Sequence, residues 1–161
     1  GACCLGVDCV DSDASECASL GGSFVGEGTS CSTGPCDADA GDVGDPLILD
    51  QLKKIAPVHA VRGNVDIGAW ATHLPETQVV QIGDVNLYVL HDRDALNLNP
   101  GTAGFHAVIF GHSHQPLIEE QNGVLFLNPG SAGARRPDRL VSLAHLQIQN
   151  GSLKANLVEL L

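Results

Sequence analysis

Three short apolar runs in this chain each stop at a side chain able to hold a cation, and that regularity constrains the fold more than any other feature. Residues 58–61 run into Arg62-Gly63-Asn64, residues 87–90 into His91, and residues 107–110 into Gly111-His112-Ser113-His114. Short apolar runs bounded by turn residues read as buried strands. Donors at the C-terminal ends of neighbouring strands converge in one crevice, where α/β sheets place their sites. In the last run Gly111 permits a sharp turn, and two imidazoles then project from one loop. Asp42, in Ala40-Gly41-Asp42-Val43, stands just before a helix start and offers a carboxylate able to bridge cations. Imidazoles, an amide oxygen and carboxylates together suit a divalent transition metal and a phosphate substrate.

The elements around these donors follow from local signals. Asp45-Pro46 predicts a helix start, with Asp45 as cap and Pro46 at the first helical position. Ile48, Leu49, Leu52 and Ile55 recur at helical spacing, and Pro57 stops them. Strands at 79–82 and 87–90 flank Gly83-Asp84, strands at 117–120 and 124–127 flank Asn122-Gly123, and strands at 140–148 and 153–160 flank Asn150-Gly151. Asn-Gly between apolar runs is the strongest short hairpin signal. Apolar residues on both faces of 140–146 predict a strand inside a layered structure. Helix–strand units early and hairpins late imply an α/β chain with a mixed sheet or two stacked sheets, helices outside.

The first 36 residues belong to a different kind of sequence. All six cysteines (Cys3, Cys4, Cys9, Cys17, Cys31 and Cys36) fall there, among Gly, Ser and Asp. The even count suggests disulfides made in an oxidising compartment, with about 15 possible pairings. Zinc is the rival reading, against which stand the missing Cys-x-x-Cys pair and the lack of a nearby His. Turn residues punctuate the segment, and no strand or helix period is sustained. Gly-Ala-Cys-Cys, Gly-Gly-x-Phe and Gly-Thr-x-Cys resemble short Cys-rich repeats of secreted bacterial surface proteins. The chain therefore divides into a Cys-rich segment at 1–36 and a second domain at 37–161. A formal charge of −11 argues against nonspecific nucleic-acid binding. No apolar run approaches the ~20 residues of a membrane-spanning helix, and no basic-then-apolar leader opens the chain. The chain holds no Met, as expected of a processed chain or a fragment of a longer reading frame.

Taken in order, Ala40-Gly41-Asp42, Gly63-Asn64-Val65-Asp66, Leu90-His91-Asp92, Gly111-His112-Ser113-His114 and Asn128-Pro129-Gly130-Ser131 resemble the calcineurin-like metallophosphoesterases, and within them the small bacterial and archaeal phosphodiesterases. The resemblance implies a β-sandwich flanked by helices around two divalent metal ions, commonly manganese, iron, zinc or nickel. It implies that Asp42 bridges them, that Asn64, His91 and His112 hold one with it, and that His114 belongs to the other. Asp66 is expected to hydrogen-bond behind the ligands. A metal-activated water would attack phosphorus in line, with no covalent enzyme intermediate, and the likeness places residues 40–161 in the cytoplasm. The Cys-rich start argues for an extracytoplasmic location instead.

The chain departs from the family at its beginning. The family opens with a strand ending in Asp-x-His, yet residues 1–41 contain no His. Gly34-Pro35-Cys36-Asp37-Ala38-Asp39 is charged and Pro-containing, a poor central strand. The Cys-rich segment is thus expected to replace the first strand, first helix and second strand, as a natural fusion, a truncated gene or a misjoined frame would. One cation keeps four donors and the other only Asp42 and His114. Residues 58–61 and 107–110 are expected as exposed edges. The function implied is a metal-dependent phosphodiesterase-type hydrolase of phosphate esters, impaired by the missing motif. The rivals are a noncatalytic metal-binding remnant and a secreted Cys-rich interaction module fused to a phosphoesterase fragment. His59, His73, His106 and His145 read as structural or surface residues, residues 128–131 as a turn bordering the pocket, and Trp70 as packing. Arg135, Arg136 and Arg139 read as a solvated cluster, with phosphate contact as the alternative.

Overall fold

The computed structural model describes residues 2–5, 8–11, 23–26, 37–132 and 140–160. Cys17, Cys31, Cys36 and the three arginines at 135, 136 and 139 lie outside them. The Cys-rich segment contributes strands β1 (Ala2–Leu5), β2 (Asp8–Asp11) and β3 (Ser23–Gly26), ordered β2-β1-β3 and antiparallel. This corrects the expectation of an irregular segment. Four-residue strands are too short for an alternating pattern to register in sequence, and backbone pairing alone defines them.

A second correction concerns the residues before Asp42. Asp37–Asp39 form a strand, β4, parallel to β5 (Val58–Ala60) with Asp39 opposite Ala60. Pro35 precedes the strand and does not interrupt it, so three residues suffice to bring the chain to Asp42 beside the loop that carries Asn64. Between β4 and β5, helix α1 (Pro46–Leu52) starts as its sequence dictates, with the Asp45 carboxylate accepting from Leu47 N at 2.9 Å. It ends at Leu52, short of Pro57. Only Leu49 of the expected stripe is buried, while Ile48 and Ile55 are exposed, because a two-turn helix presents too little surface to bury a full stripe.

The main sheet has five strands in the order β6-β7-β8-β10-β9, from Thr77–Ile82, Val85–Leu90, Ala107–Ile109, Val124–Asn128 and Leu117–Gln121 respectively. Strand β8 is parallel to both β7 and β10. Expected as an edge, it is instead the buried centre of the sheet. Its neighbours arrive by hairpins, β6–β7 and β9–β10, whose turns are Gly83-Asp84 and Asn122-Gly123. Asn122 (φ 52°) and Gly123 (φ 76°) both take the left-handed backbone that a two-residue turn of this twist requires.

Alternation divides the sheet into two faces. Leu87, Val89, Ala107, Ile109 and Leu127 point one way and pack with Ile148 and the half-buried Ala144, Leu146, Leu153 and Ala155. Those last residues come from the hairpin β11 (Ser142–Gln149) and β12 (Ser152–Glu159), which forms the second layer. Leu90, Val108, Phe110, Val124 and Phe126 form a separate cluster on the other face. The outer face of the second layer stays open, since Leu143 and its cross-strand partner Val158 are exposed. Val43, Leu49 and Ala60 form a third small cluster against Val58, Trp70 and Leu74. The result is a mixed α/β architecture with stacked sheets and few helices. Among the described residues no helix is long and apolar enough to cross a membrane.

Candidate metal centre

Strand ends bring the donors together, as their spacing predicts. His91 follows β7, Gly111-His112 follows β8 after Phe110, and Asn64 follows β5 by a short loop. Gly111 N donates to His91 O at 2.9 Å, tying the two strand ends directly. Gly41, at φ 93°, passes so close that a Cβ there would lie 2.7 Å from His91 Nδ1 and from Gly63 N. Gly63 leaves no room for a Cβ beside the backbone N and Oδ1 of Asp42. These two glycines let the loops of Asp42 and Asn64 meet.

His91 is buried, and its tautomer is set by the backbone. Its Nδ1 lies 2.7 Å from the carbonyl of Ala40, which only accepts, so Nδ1 carries the hydrogen. In the neutral ring Nε2 then holds a lone pair. That lone pair faces Asn64 Oδ1 at 2.8 Å, His112 Nδ1 at 3.2 Å and Asp42 Oδ1 at 3.4 Å. Asn64 Oδ1 lies 3.0 Å from His112 Nδ1 as well. Four electron-pair donors thus converge with too few hydrogens among them. A cation between them would relieve that repulsion and turn it into coordination. One carboxylate, one amide oxygen and two imidazoles fit a divalent transition metal. Counting His, Cys, Asp and Glu alone, no group of three among the described residues is arranged for one ion. The amide of Asn64 is what links His112 to Asp42 and His91.

The carboxylate of Asp66 organises the loops behind these donors. It is buried, and it accepts from Asp42 N at 3.0 Å, Gly63 N at 2.8 Å and Gly44 N at 2.8 Å. In return Asp42 Oδ1 accepts from Val65 N at 3.1 Å. Each aspartate therefore receives an amide from the other's loop. His114 lies two residues past His112, half-buried and at φ 54°; the contacts above do not include it. His59 bonds Gln78 at 3.0 Å and His106 accepts from Asn86 N at 3.1 Å, both away from the donors. His73 and His145 are exposed, and Trp70 packs on the third cluster. Sequence reading reduced Asn128 to part of a turn, yet it is fully buried under the His112 loop. The available signal was a polar residue closing an apolar strand, since a buried amide must find partners.

Residues 38–151 match the model of the calcineurin-like phosphoesterase superfamily domain. The chain belongs to that superfamily. A probable metallophosphoesterase of Methanocaldococcus jannaschii is 36% identical over 126 residues, covering 73% of this chain and 62% of the relative. A second, from Methanothermobacter thermautotrophicus, is 33% identical over 99 residues, covering 57% of each. The chain thus spans about three fifths of the length of the curated relatives it matches. Among solved structures, Vps29 of Entamoeba histolytica in complex with zinc superposes with a TM-score of 0.60 at 29% identity. That likeness covers 77% of this chain and 81% of the Vps29 chain. The phosphoesterase model begins at residue 38, within β4, and runs into the turn of the last hairpin.

Proposed function

We propose that this chain is a metal-dependent phosphodiesterase domain that holds a divalent cation on Asp42, Asn64, His91 and His112. The observation that carries the reading is the convergence of four electron-pair donors around the buried Nε2 of His91. A divalent cation bound there supplies Lewis acidity and a water acidic enough to act as a nucleophile near neutral pH. The protein's part is positioning. Ala40 fixes which nitrogen of His91 faces inward, and Val65 N fixes Asp42. Asn64 is neutral, so it donates an oxygen without adding charge against an anionic phosphate. Asn64 and His112 are exposed while His91 is buried, so a phosphate ester approaches from their side. The zinc held by the similar Vps29 supports the transition-metal reading.

Hydrolysis of an aryl phosphodiester with manganese tests the proposal, with His112→Ala as control. The account expects turnover that this substitution removes; equal rates in both proteins reject catalysis. A second reading, a noncatalytic metal-binding domain, is favoured by one specific observation: residues 1–41 contain no His and so no Asp-x-His. About one tightly held cation per chain without turnover would decide for it.

A further inference from the structure

We propose that Asn128 is a positioning residue whose side-chain amide clamps both ends of the turn centred on His112, aiming that imidazole at the cation site. The inference rests on the metal-binding reading above. Ser113 N donates to Gly111 O at 2.7 Å, a bond across two residues, and His112 between them sits at φ 62°. A γ-turn at positive φ is the rare and strained form. For a β-carbon-bearing residue such backbone costs on the order of 1–3 kcal/mol and persists only where the surroundings enforce it.

Asn128 is what enforces it. The residue ends β10, the parallel neighbour of the strand that feeds this turn. Its Nδ2 donates to Gly111 O at 2.7 Å and to Ser113 Oγ at 3.1 Å, the residues immediately before and after His112. Its Oδ1 accepts from Gly130 N at 2.9 Å, which fixes which way the amide faces. Asn128 itself is wholly buried, so the clamp is anchored in the sheet while His112 stays exposed at the rim. A serine or leucine there could not supply two donors and an acceptor in one plane. With the turn held, His112 Nδ1 stands 3.0 Å from Asn64 Oδ1 and 3.2 Å from His91 Nε2. Released, the turn relaxes toward negative φ and carries the ring away from both.

The test is a cobalt(II) titration of the full chain, read by visible absorption. Wild type is compared with Asn128→Ala, Asn128→Asp and the exposed control Asn156→Ala, each at a temperature where thermal unfolding shows it folded. Partners that orient a ligand are worth about 10–100-fold in metal affinity. Both substitutions at 128 should weaken cobalt binding by that factor and alter the band shape, while Asn156→Ala matches wild type. Asp retains the volume and the Gly130 contact but not the two donors, so a role in packing alone would leave its affinity unchanged, and that result overturns the proposal. Should neither variant fold, Ser113→Ala removes one end of the clamp without touching buried volume. A loss of a few-fold or more then supports the proposal, and wild-type affinity refutes it. Failure of the wild type itself to bind cobalt would instead refute the metal-binding reading.

Discussion

Replacing Asp66 with Asn would separate the two loops that carry Asp42 and Asn64, and the geometry sets the size of the effect. Oδ2 accepts from Asp42 N and Gly63 N, and Oδ1 from Gly44 N. An amide has one acceptor oxygen. Turned toward the pair of donors, it keeps those two bonds as neutral ones and sets its NH2 against the Gly44 amide. Making two charge-assisted bonds ordinary costs about 1 kcal/mol each, and a buried donor left facing a donor costs about 1–3 kcal/mol. The sum is roughly 3–5 kcal/mol, a large share of the ~5–15 kcal/mol that holds a domain folded. Urea unfolding of the chelated protein measures it, with the exposed Asp50→Asn on α1 as a control expected within about 0.5 kcal/mol of wild type. The same variant should bind a divalent cation more weakly, because Asp42 and Asn64 no longer share an anchor. Unfolding within about 0.5 kcal/mol of wild type, together with unchanged cation affinity, would refute the loop-clamp reasoning.

Other consequences follow from the same structure. Gly63→Ala places a methyl against Asp42, so calorimetric titration should find cation binding lost while circular dichroism still reports the sheet. Val108→Ala, at the wholly buried centre of the sheet, should lower stability by about 2 kcal/mol in denaturant titration, with an unchanged slope. A cation supplied at about 100 times its dissociation constant should stabilise the wild type by roughly 2.7 kcal/mol. Thermal unfolding should show that gain vanish on adding a chelator and be absent from His91→Ala.

Most of the sheet was legible because its signals are local. Asn122-Gly123 and Asn150-Gly151 name their turns, and the apolar runs between them can only be strands. The donors were legible for the same reason, since each sits one to three residues past a buried run. What escaped is non-local. That β8 lies at the centre of the sheet depends on β10 returning beside it, which no window of sequence reveals. The strand at Asp37–Asp39 is defined by its partner β5, not by apolar character, and so its composition argued against it. The open outer face at Leu143 and Val158 contradicts the burial read from their apolar side chains. Asn128 looked like a turn residue because its neighbours are Pro129 and Gly130; its burial depends on the loop folding over it.

The central claim is that Asp42, Asn64, His91 and His112 surround one cation. Anomalous X-ray scattering from crystals of this chain grown with manganese tests it most directly. The account predicts an anomalous peak about 2.0–2.3 Å from His91 Nε2, His112 Nδ1 and Asn64 Oδ1, with Asp42 also in contact. Ordered donors with no peak among them, or a peak elsewhere in the fold, would contradict it.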